Sequence, residues 1–225
     1  MPTAVVTGAF SNTGAAVATE LDRRGWAIRT LTNRPPPPAS TIPVSPLHFE
    51  RNQLARALAG ADVLVNTYWV RFPYRGVTFE TAVRNSETLV LAAQDAHVSR
   101  LVQVSVSNAS ERSTLGYYRG KAIVDRFVRD SGLSWAIVRP TLIVGPKDVL
   151  TNNIAWFLRR VPVFGLPSGA GYRMQPITLD DAARIIADAV ESSEPLEIDA
   201  AGLEIDDEPD DTADEAAEGF NAREN

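Results

Sequence analysis

The sequence predicts an α/β fold in which helices cover both faces of a parallel, doubly wound β-sheet. Short apolar runs rich in β-branched residues alternate along the chain with segments of helical periodicity. The segments between successive runs are long enough for the crossover helix that parallel strands require. The first apolar run passes through glycines directly into a helical segment, which is typical of strand-to-helix turns in such sheets.

The first predicted strand leads through the sequence AVVTGAFSNTG, residues 4–14, into a helix over about 13–24. Gly8 is expected to form the tight turn, and Gly14 to let the helix approach the strand closely. Ser11 replaces the middle glycine of the usual dinucleotide fingerprint, and its hydroxyl could donate to a phosphate oxygen. We interpret this turn as a dinucleotide-binding site, with an ordinary strand–turn–helix unit as the alternative. The residues of the turn expected to contact the cofactor are Gly8, Phe10, Ser11, Asn12, Thr13 and Gly14.

The second predicted strand, WAIRTLT, ends at Asn33 and Arg34, which we expect to contact the cofactor, and four prolines follow. In this fold the end of the second strand meets the adenosine ribose, where an acid selects the free 2′-hydroxyl and an arginine accommodates a 2′-phosphate. No acidic residue lies between positions 23 and 48. We therefore predict that NADP(H) is preferred over NAD(H), although Arg34 could instead only solvate the proline-rich loop.

The remaining elements continue the alternation of strands and helices. Strands are predicted at 46–50, 61–70, 101–107 and 133–145, and helices at 52–60 and 77–96. The fourth strand reaches Asn66 and Thr67, which we expect to lie beside the cofactor cleft because ligands bind at the carboxyl ends of parallel strands.

Tyr117 and Lys121 stand four residues apart at the start of a helical segment, YYRGKAIVDRFV, so both side chains lie on one helix face. A lysine ammonium beside a phenol favours the phenolate, so Lys121 is expected to lower the pKa of Tyr117 toward that of a general acid/base. Tyr118 is expected to pack or to line the entrance. A chance pair on a helix is the alternative.

Two serines, Ser105 and Ser107, lie at the end of the fifth predicted strand, and alternation places both on the same side. Ser107 is nearer to the carboxyl end, so we favour it as the residue that hydrogen-bonds the substrate oxygen, with Ser105 second. Both could instead only satisfy backbone groups at the junction of strand and loop.

The motifs TGAFSNTG, ADVLVNT, VSVS, YYRGK and IVRPTLIVGP occur in an order that resembles the short-chain dehydrogenase/reductase superfamily. The resemblance is to its extended and atypical branches, which include NAD-dependent epimerase/dehydratase and NmrA-like proteins, and it covers roughly residues 4–190.

This resemblance implies a Rossmann fold with a catalytic Tyr117, its partner Lys121 and the serine Ser107. It also implies that Pro140, Thr141 and Leu142 lie beside the nicotinamide. The segment PITLDDAARII resembles the return of the chain to the main domain, where Asp181 or Asp180 would cap a helix.

Composition separates the chain into two parts. Residues 191–225 hold 14 of the 28 acids and one basic residue, a net charge of −13, which leaves +7 for residues 1–190. We predict a dinucleotide-binding domain over 1–190, with a reduced C-terminal substrate lobe at about 147–175, and an acidic, disordered tail over 191–225. The lobe could form a lid over the pocket, pack into the core or contact another subunit.

The chain has no cysteine, which excludes cysteine-nucleophile and zinc-thiolate chemistry. Neither a membrane span nor a metal site is predicted, and no dense basic cluster indicates nucleic acid as a partner. A cytoplasmic location and a small-molecule substrate are expected. A homodimer through the helices at 77–96 and 117–130 is possible.

These observations predict an NAD(P)-dependent oxidoreductase or epimerase-like enzyme that acts on a carbonyl or secondary alcohol, with Tyr117 as proton donor or acceptor. The alternative is a non-catalytic NAD(P)-binding sensor or a scaffold protein of a larger assembly.

Overall fold

The computed structural model describes residues 1–74, 76–146, 149–161 and 175–202. Its strands are β1 (Thr3–Thr7), β2 (Ala27–Leu31), β3 (Val44–Ser45), β4 (Val63–Asn66), β5 (Arg100–Val104), β6 (Ser134–Pro140), β7 (Ile143–Val144), β8 (Ile177–Thr178) and β9 (Leu196–Ala200). Its helices are α1 (Asn12–Arg23), α2 (Arg51–Leu58), α3 (Phe79–Asp95), α4 (Gly116–Arg129), α5 (Val149–Leu158) and α6 (Leu179–Glu191).

Seven of these strands form one parallel sheet in the order β3-β2-β1-β4-β5-β6-β9, and β7 pairs with β8 separately. The strand order reverses between β1 and β4, so the crossovers run in opposite directions on the two sides of this point. The predicted doubly wound parallel sheet is confirmed. Its switch point places a crevice at the carboxyl ends of β1 and β4.

The two faces of the sheet carry separate cores, because successive side chains of a strand point to opposite faces. Val6 of β1 belongs to the core beneath α1 and α6, whereas the adjacent Val5 belongs to the core beneath α2, α3 and α4. The helices therefore flank the sheet on both sides, as the alternation of elements predicts.

The third strand lies earlier than predicted. β3 consists of Val44–Ser45, and residues 46–50 form no strand. Glu50, which the prediction placed in that strand, caps α2 instead, since its carboxylate accepts from the backbone N–H groups of Asn52 and Gln53. The proline at position 46 also lacks the N–H that a continuing strand would use.

The expectation of disorder from residue 191 is wrong for the segment that precedes residue 203. Leu196–Ala200 forms β9, which pairs in parallel with β6. Leu196 and Ala200 pack into the core beneath α6, and Glu197 on the opposite face forms ion pairs with Arg129 and Arg139. The acidic composition of this segment obscured its period-2 alternation. Residues 203–225 lie outside the described part of the chain.

Helix α6 is capped by Thr178 and not by the two aspartates proposed from the sequence. The Thr178 hydroxyl accepts from the Asp181 N–H over 3.1 Å and donates to the Asp181 carboxylate over 2.6 Å. This reciprocal arrangement satisfies a free N–H of the first turn and places Asp181 inside the helix.

Of the predicted substrate lobe, the structure describes α5 and the residues on either side of it. Residues 147–148 and 162–174 lie outside the described ranges. A lid, core or subunit role for this lobe therefore stays a prediction.

Candidate active site

The turn between β1 and α1 has the close backbone approach that its glycines predict. Gly8 adopts a φ of +65°, in the left-handed region that favours glycine. A Cβ atom built at Gly14 would lie 2.2 Å from the carbonyl oxygen of Gly8, so no larger residue fits there without displacing the backbone. Gly14 therefore lets α1 begin directly against the turn.

Ser11, at the position of the missing middle glycine, is the N-cap of α1. Its hydroxyl oxygen accepts from the Gly14 N–H over 3.3 Å and leaves the hydroxyl proton available to a ligand. The N–H groups of Asn12 and Thr13 belong to the first turn of the helix and have no backbone acceptor in the described chain. Together with the helix dipole, these donors form a site suited to a phosphate, and Phe10 lies half-buried beside it.

A buried hydrogen-bond network fixes the carboxyl ends of β1 and β4 against each other. The Thr67 N–H donates to the Thr7 hydroxyl over 2.8 Å, and the Thr67 hydroxyl donates to the Thr7 carbonyl oxygen. Asn66 is completely buried and its amide donates to Gln103 over 2.7 Å. The Asn66 side chain is therefore part of this buried network, whereas Thr67 is half-buried and its contact with the cofactor stays a prediction.

Asn33 and Arg34, beyond the end of β2, differ in what their side chains do. The Asn33 amide exchanges two hydrogen bonds of 2.9 Å with the backbone of Leu47, so it fastens the end of β2 to the segment before α2. Arg34 is exposed, and its guanidinium has no hydrogen-bond or ion-pair partner among the described residues. Arg34 is therefore free to contact a ligand, whereas Asn33 has a structural role.

Lys121 is 3% exposed and lies under an aromatic ring. Its Nζ donates to the Val104 carbonyl oxygen over 2.7 Å and lies 4.7 Å from the centroid of the Trp69 ring. Burial lowers the pKa of Lys121 to about 8, and the nearby Asp125 carboxylate partly opposes this shift. The ammonium has three donors and uses one of them on Val104.

Tyr117 lies among three further aromatic rings. Its ring meets those of Trp69 and Phe79 edge-on at centroid distances of 6.1 and 6.0 Å, and that of Tyr118 at 5.5 Å. Burial is the main reason why the pKa of Tyr117 is raised, Tyr118 adds to the increase, and Arg71 opposes it. The sequence predicted a lowered pKa. The direction differs because the rings desolvate the phenol and the Lys121 ammonium is directed to Val104.

The two candidate serines have different environments. Ser105 is buried and its hydroxyl donates to the Asp125 carboxylate over 2.8 Å, so it faces the interior. Ser107 is half-buried, its backbone N–H donates to the Pro140 carbonyl oxygen, and its hydroxyl has no partner among the described residues. The geometry favours Ser107 over Ser105 as the residue available to a substrate.

Asp125 was not identified from the sequence. Its carboxylate is completely buried, accepts from Ser105 and from Arg139 over 3.2 Å, and has one oxygen without a hydrogen-bond partner. Burial raises the pKa of Asp125, and its hydrogen bond from Ser105 and the charges of Arg139 and Lys121 oppose this. The signal in the sequence is its spacing of four residues from Lys121, which puts both groups on the same face of α4.

Backbone hydrogen bonds attach the segment after β6 to neighbouring parts of the fold. The Thr141 N–H donates to Ala200 of β9, and the Leu142 carbonyl oxygen accepts from the Ile177 N–H. Pro140 is buried at the end of β6. These bonds hold the predicted nicotinamide-side segment next to the end of β9.

A cavity of about 410 Å³ lies apart from these residues, against the outer side of α4. It is lined by Ala109, Ser110, Glu111, Arg112, Ala122, Arg129 and Arg139. Neither the glycine turn nor Tyr117 lines this cavity, so the open crevice at the switch point is the better candidate for the active site.

A family model for NAD(P)H-binding proteins matches residues 8–192, which include the turn, the Tyr117–Lys121 pair and α6. The chain belongs to this NAD(P)H-binding family. The turn, with its free N–H donors and the close approach at Gly14, suits the phosphates of such a dinucleotide.

The curated relatives include a mitochondrial protein named NADH dehydrogenase [ubiquinone] 1 alpha subcomplex subunit 9. The Arabidopsis thaliana protein is 28% identical over 150 residues, which cover 64% of this chain and 37% of that protein. The Mus musculus protein is 29% identical over 144 residues, covering 62% of this chain and 37% of that protein. The chain thus matches less than two fifths of the length of these relatives.

Solved structures with the same fold include UDP-N-acetylglucosamine 4-epimerase from Bacillus cereus, with a TM-score of 0.77 at 15% identity over 92% of this chain and 78% of that chain. MoeE5 in complex with UDP-glucuronic acid and NAD has a TM-score of 0.74 at 18% identity, covering 90% of this chain and 78% of that one. The likeness shows that the chain has the fold of these proteins.

The described residues contain no helix that combines the length and apolar character of a membrane span. They also contain no group of three or more His, Cys, Asp or Glu side chains that could hold a metal ion.

Proposed function

We propose that the protein binds NADP(H) in the crevice at the switch point and uses it to reduce a carbonyl group or to oxidise a secondary alcohol. The single observation that carries the proposal is that the Tyr117 ring and the Lys121 ammonium both contact the ring of Trp69. The phenol ring meets the edge of this indole, and the ammonium lies over its face. An acid and a cation are thereby held together at the carboxyl edge of the sheet, where ligands of this fold bind.

The residues of the proposed site have distinct roles in binding the cofactor and the substrate. The first turn of α1 binds the pyrophosphate, and the donors of Lys121 that Val104 does not use bind the ribose next to the nicotinamide. Ser107 orients the substrate oxygen. Bound NADPH supplies a hydride to the carbonyl carbon.

Tyr117 is proposed as the proton donor in the direction of reduction. Since burial raises its pKa, the phenol keeps its proton at neutral pH and can deliver it to the alkoxide oxygen that hydride addition creates. Epimerisation by oxidation and reduction at one carbon would use the same groups.

The cofactor preference is tested with Arg34→Ala, which removes the free cation beyond β2. We expect the Kd for NADPH to rise by about 10-fold or more and the Kd for NADH to stay unchanged, because a charge-assisted hydrogen bond is worth about 1.5–3 kcal/mol. Titrations followed by nicotinamide fluorescence measure both constants. Arg56→Ala, at another exposed arginine, is the matched control. An equal change for both nucleotides would contradict a 2′-phosphate contact.

The catalytic role is tested with Tyr117→Phe, which removes only the hydroxyl group. We expect NADPH-dependent reduction of a carbonyl substrate to fall by about 10²–10⁴-fold, the range typical of a general acid, while NADPH still binds. Loss of NADPH absorbance during a ketone screen measures the rate. Tyr118→Phe is the control on the adjacent ring. Unchanged turnover in Tyr117→Phe would refute the role.

A second candidate function is that of an NAD(P)H-holding module in a larger assembly. It is favoured by the names of the curated relatives, which are subunits of a subcomplex. Tight NADPH binding together with no Tyr117-dependent turnover on any carbonyl compound would support this second function.

A further inference from the structure

We infer that the substrate is an apolar carbonyl compound whose carbonyl group is attached to a flat ring, such as an aryl ketone, and not a nucleotide sugar. This inference rests on the proposed function. It arises from the aromatic rings around Tyr117 and from where the exposed apolar side chains of the molecule lie.

The first observation is the aromatic cluster, defined as Trp69, Phe79, Tyr117 and Tyr118. Its rings lie within 5.5–6.1 Å of the Tyr117 centroid, in edge-on arrangements. Small residues of α4 make room for it, since a Cβ at Gly116 would lie 2.8 Å from Phe79 and a Cβ at Gly120 would lie 3.0 Å from Trp69. The proposed proton donor is therefore surrounded by ring edges and faces.

The second observation is an apolar rim, defined as Phe72, Tyr74, Val77, Leu115 and the exposed apolar face of α5. Ten large apolar side chains are exposed among the described residues, and eight of them belong to this rim. All eight follow β4, β5 or β7 in the chain. Four of the eight, Phe72, Tyr74, Val77 and Leu115, follow β4 or β5, and the segments after these two strands also carry Trp69 and Tyr117. A group of exposed apolar side chains in such segments is typical of a binding site.

Two segments of the chain connect rim residues to the cluster. The segment after β4 places Trp69 against Tyr117, the charge of Arg71 is close enough to lower the pKa of Tyr117, and Phe72 comes next at 73% exposure. On the other side, Leu115 immediately precedes the helix that carries Tyr117 and is 61% exposed. A ring bound at Tyr117 would therefore extend onto the rim.

The charges of this region suit a neutral substrate better than a diphosphate. Lys121 is buried beneath Trp69, and the Arg119 guanidinium donates to the backbone oxygens of Ser113 and Thr114. Arg160 stacks over the Trp156 ring at 4.5 Å. Among the described residues, Arg71 is the arginine whose charge acts on Tyr117 and whose side chain has no hydrogen-bond or ion-pair partner. Two phosphates call for several such donors.

The reaction balances with the groups already named. A hydride from NADPH forms a C–H bond at the carbonyl carbon, the C=O π bond breaks, and the oxygen takes the Tyr117 proton to give a secondary alcohol. NADPH is oxidised to NADP⁺, the ketone is reduced, and solvent returns one proton to Tyr117. Stacking by the aromatic cluster would hold the ring beside the carbonyl in place.

The test uses the full-length protein with NADPH and three probes, which are acetonaphthone, butanone and UDP-glucose. We expect acetonaphthone to be reduced with a KM at least about 10-fold below that of butanone, which has no ring to stack. Phe72→Ser should raise the KM for acetonaphthone by about 5–10-fold, with a smaller change for butanone and in kcat. UDP-glucose should be neither converted nor competitive with acetonaphthone.

Val44→Ser is the matched control, because Val44 is an exposed apolar residue on β3, outside the rim. It should leave every constant unchanged. Conversion of UDP-glucose, or equal KM values for the two ketones, overturns the inference while leaving the proposed function in place, provided that turnover needs Tyr117. The inference is also overturned if Phe72→Ser has normal ketone kinetics but an altered oligomeric state, since the rim would then be a subunit contact. If NADPH does not bind at all, the proposed function fails, and the inference fails with it.

Discussion

Burial of the Lys121 ammonium is unfavourable for stability at neutral pH. Its pKa of about 8 lies below the ordinary value of 10.5, because burial disfavours the charged form. Below pH 8 the lysine is charged in the folded and the unfolded chain, so the full penalty is present. Between pH 8 and 10.5 the folded chain releases its proton first, and the contribution of Lys121 to stability improves as pH rises. Retention of such a group is typical of a functional site.

We therefore predict that Lys121→Met raises the free energy of unfolding at pH 7, by up to about 3 kcal/mol if the lost bond to Val104 is minor. The difference from the parent protein should shrink as pH rises from 8 and vanish above about 10.5. Urea unfolding at a series of pH values measures it. Arg126→Met, an exposed cation of the same helix, should show no such trend. A destabilised Lys121→Met protein at pH 7 would contradict the burial penalty.

Trp69 shows how one residue decides the chemistry of its neighbours. Its ring covers Lys121 and contacts Tyr117, and its indole N–H is buried with no hydrogen-bond partner in the part of the chain that the structure describes. The spacing of Tyr117 and Lys121 predicts that the two side chains lie on one helix face. It does not predict the direction in which the pKa of Tyr117 shifts. That direction depends on rings from α3 and from the segment after β4.

At the scale of elements, the turn between β1 and α1 leaves no space for a side chain at Gly14. We predict that Gly14→Ala abolishes NADPH binding and lowers the free energy of unfolding by several kcal/mol, because its Cβ would overlap the Gly8 carbonyl group. Calorimetry and nucleotide titration measure the two effects.

The control for Gly14→Ala is Gly25→Ala. Gly25 has a φ of +87° and open space around its Cβ position, so this change isolates the conformational penalty of about 1 kcal/mol. NADPH binding should be unchanged in it. Equal losses of stability for both variants would show that the contact at Gly14 is relaxed by small backbone shifts.

Strand β9 is the element in which composition and structure disagree most. Its acids lie on one face, where Glu197 pairs with Arg129 and Arg139, while Leu196 and Ala200 pack on the other. The acidic residues of this segment predicted a solvated tail. In the structure the two arginines neutralise the charge of Glu197 within the fold. A period-2 pattern over five residues identifies such a strand only when the neighbouring strand is known.

At the scale of the whole molecule, the charge differs between residues 1–202 and residues 203–225. Residues 203–225 hold ten acids and one arginine. Because β9 runs parallel to β6, the chain leaves the sheet at its carboxyl edge, the same edge that holds the proposed cofactor crevice. An anionic segment starting there would oppose the binding of an anionic dinucleotide.

We predict that deletion of residues 203–225 lowers the Kd for NADPH by about threefold at low ionic strength and has no effect near 1 M salt, where the Debye length is about 3 Å. Fluorescence titration across a salt series measures the effect. A full-length variant with the ten acids changed to amides should behave like the deletion. If only the deletion changes the Kd, the volume that residues 203–225 occupy is responsible and not their charge.

A homodimer through α3 and α4 also stays a prediction at this scale.

The sequence by itself determined the order and type of most elements, the glycine turn and the pairing of Tyr117 with Lys121. These follow from local rules, since apolar periodicity and backbone sterics act over a few residues. Only the tertiary structure decided that Asn66 and Ser105 point into the interior, that Asp125 is completely buried against Ser105 and Arg139, and that residues 196–200 join the sheet. Burial, ion pairing and desolvation at these places depend on residues distant in the chain, whose contacts no local pattern encodes.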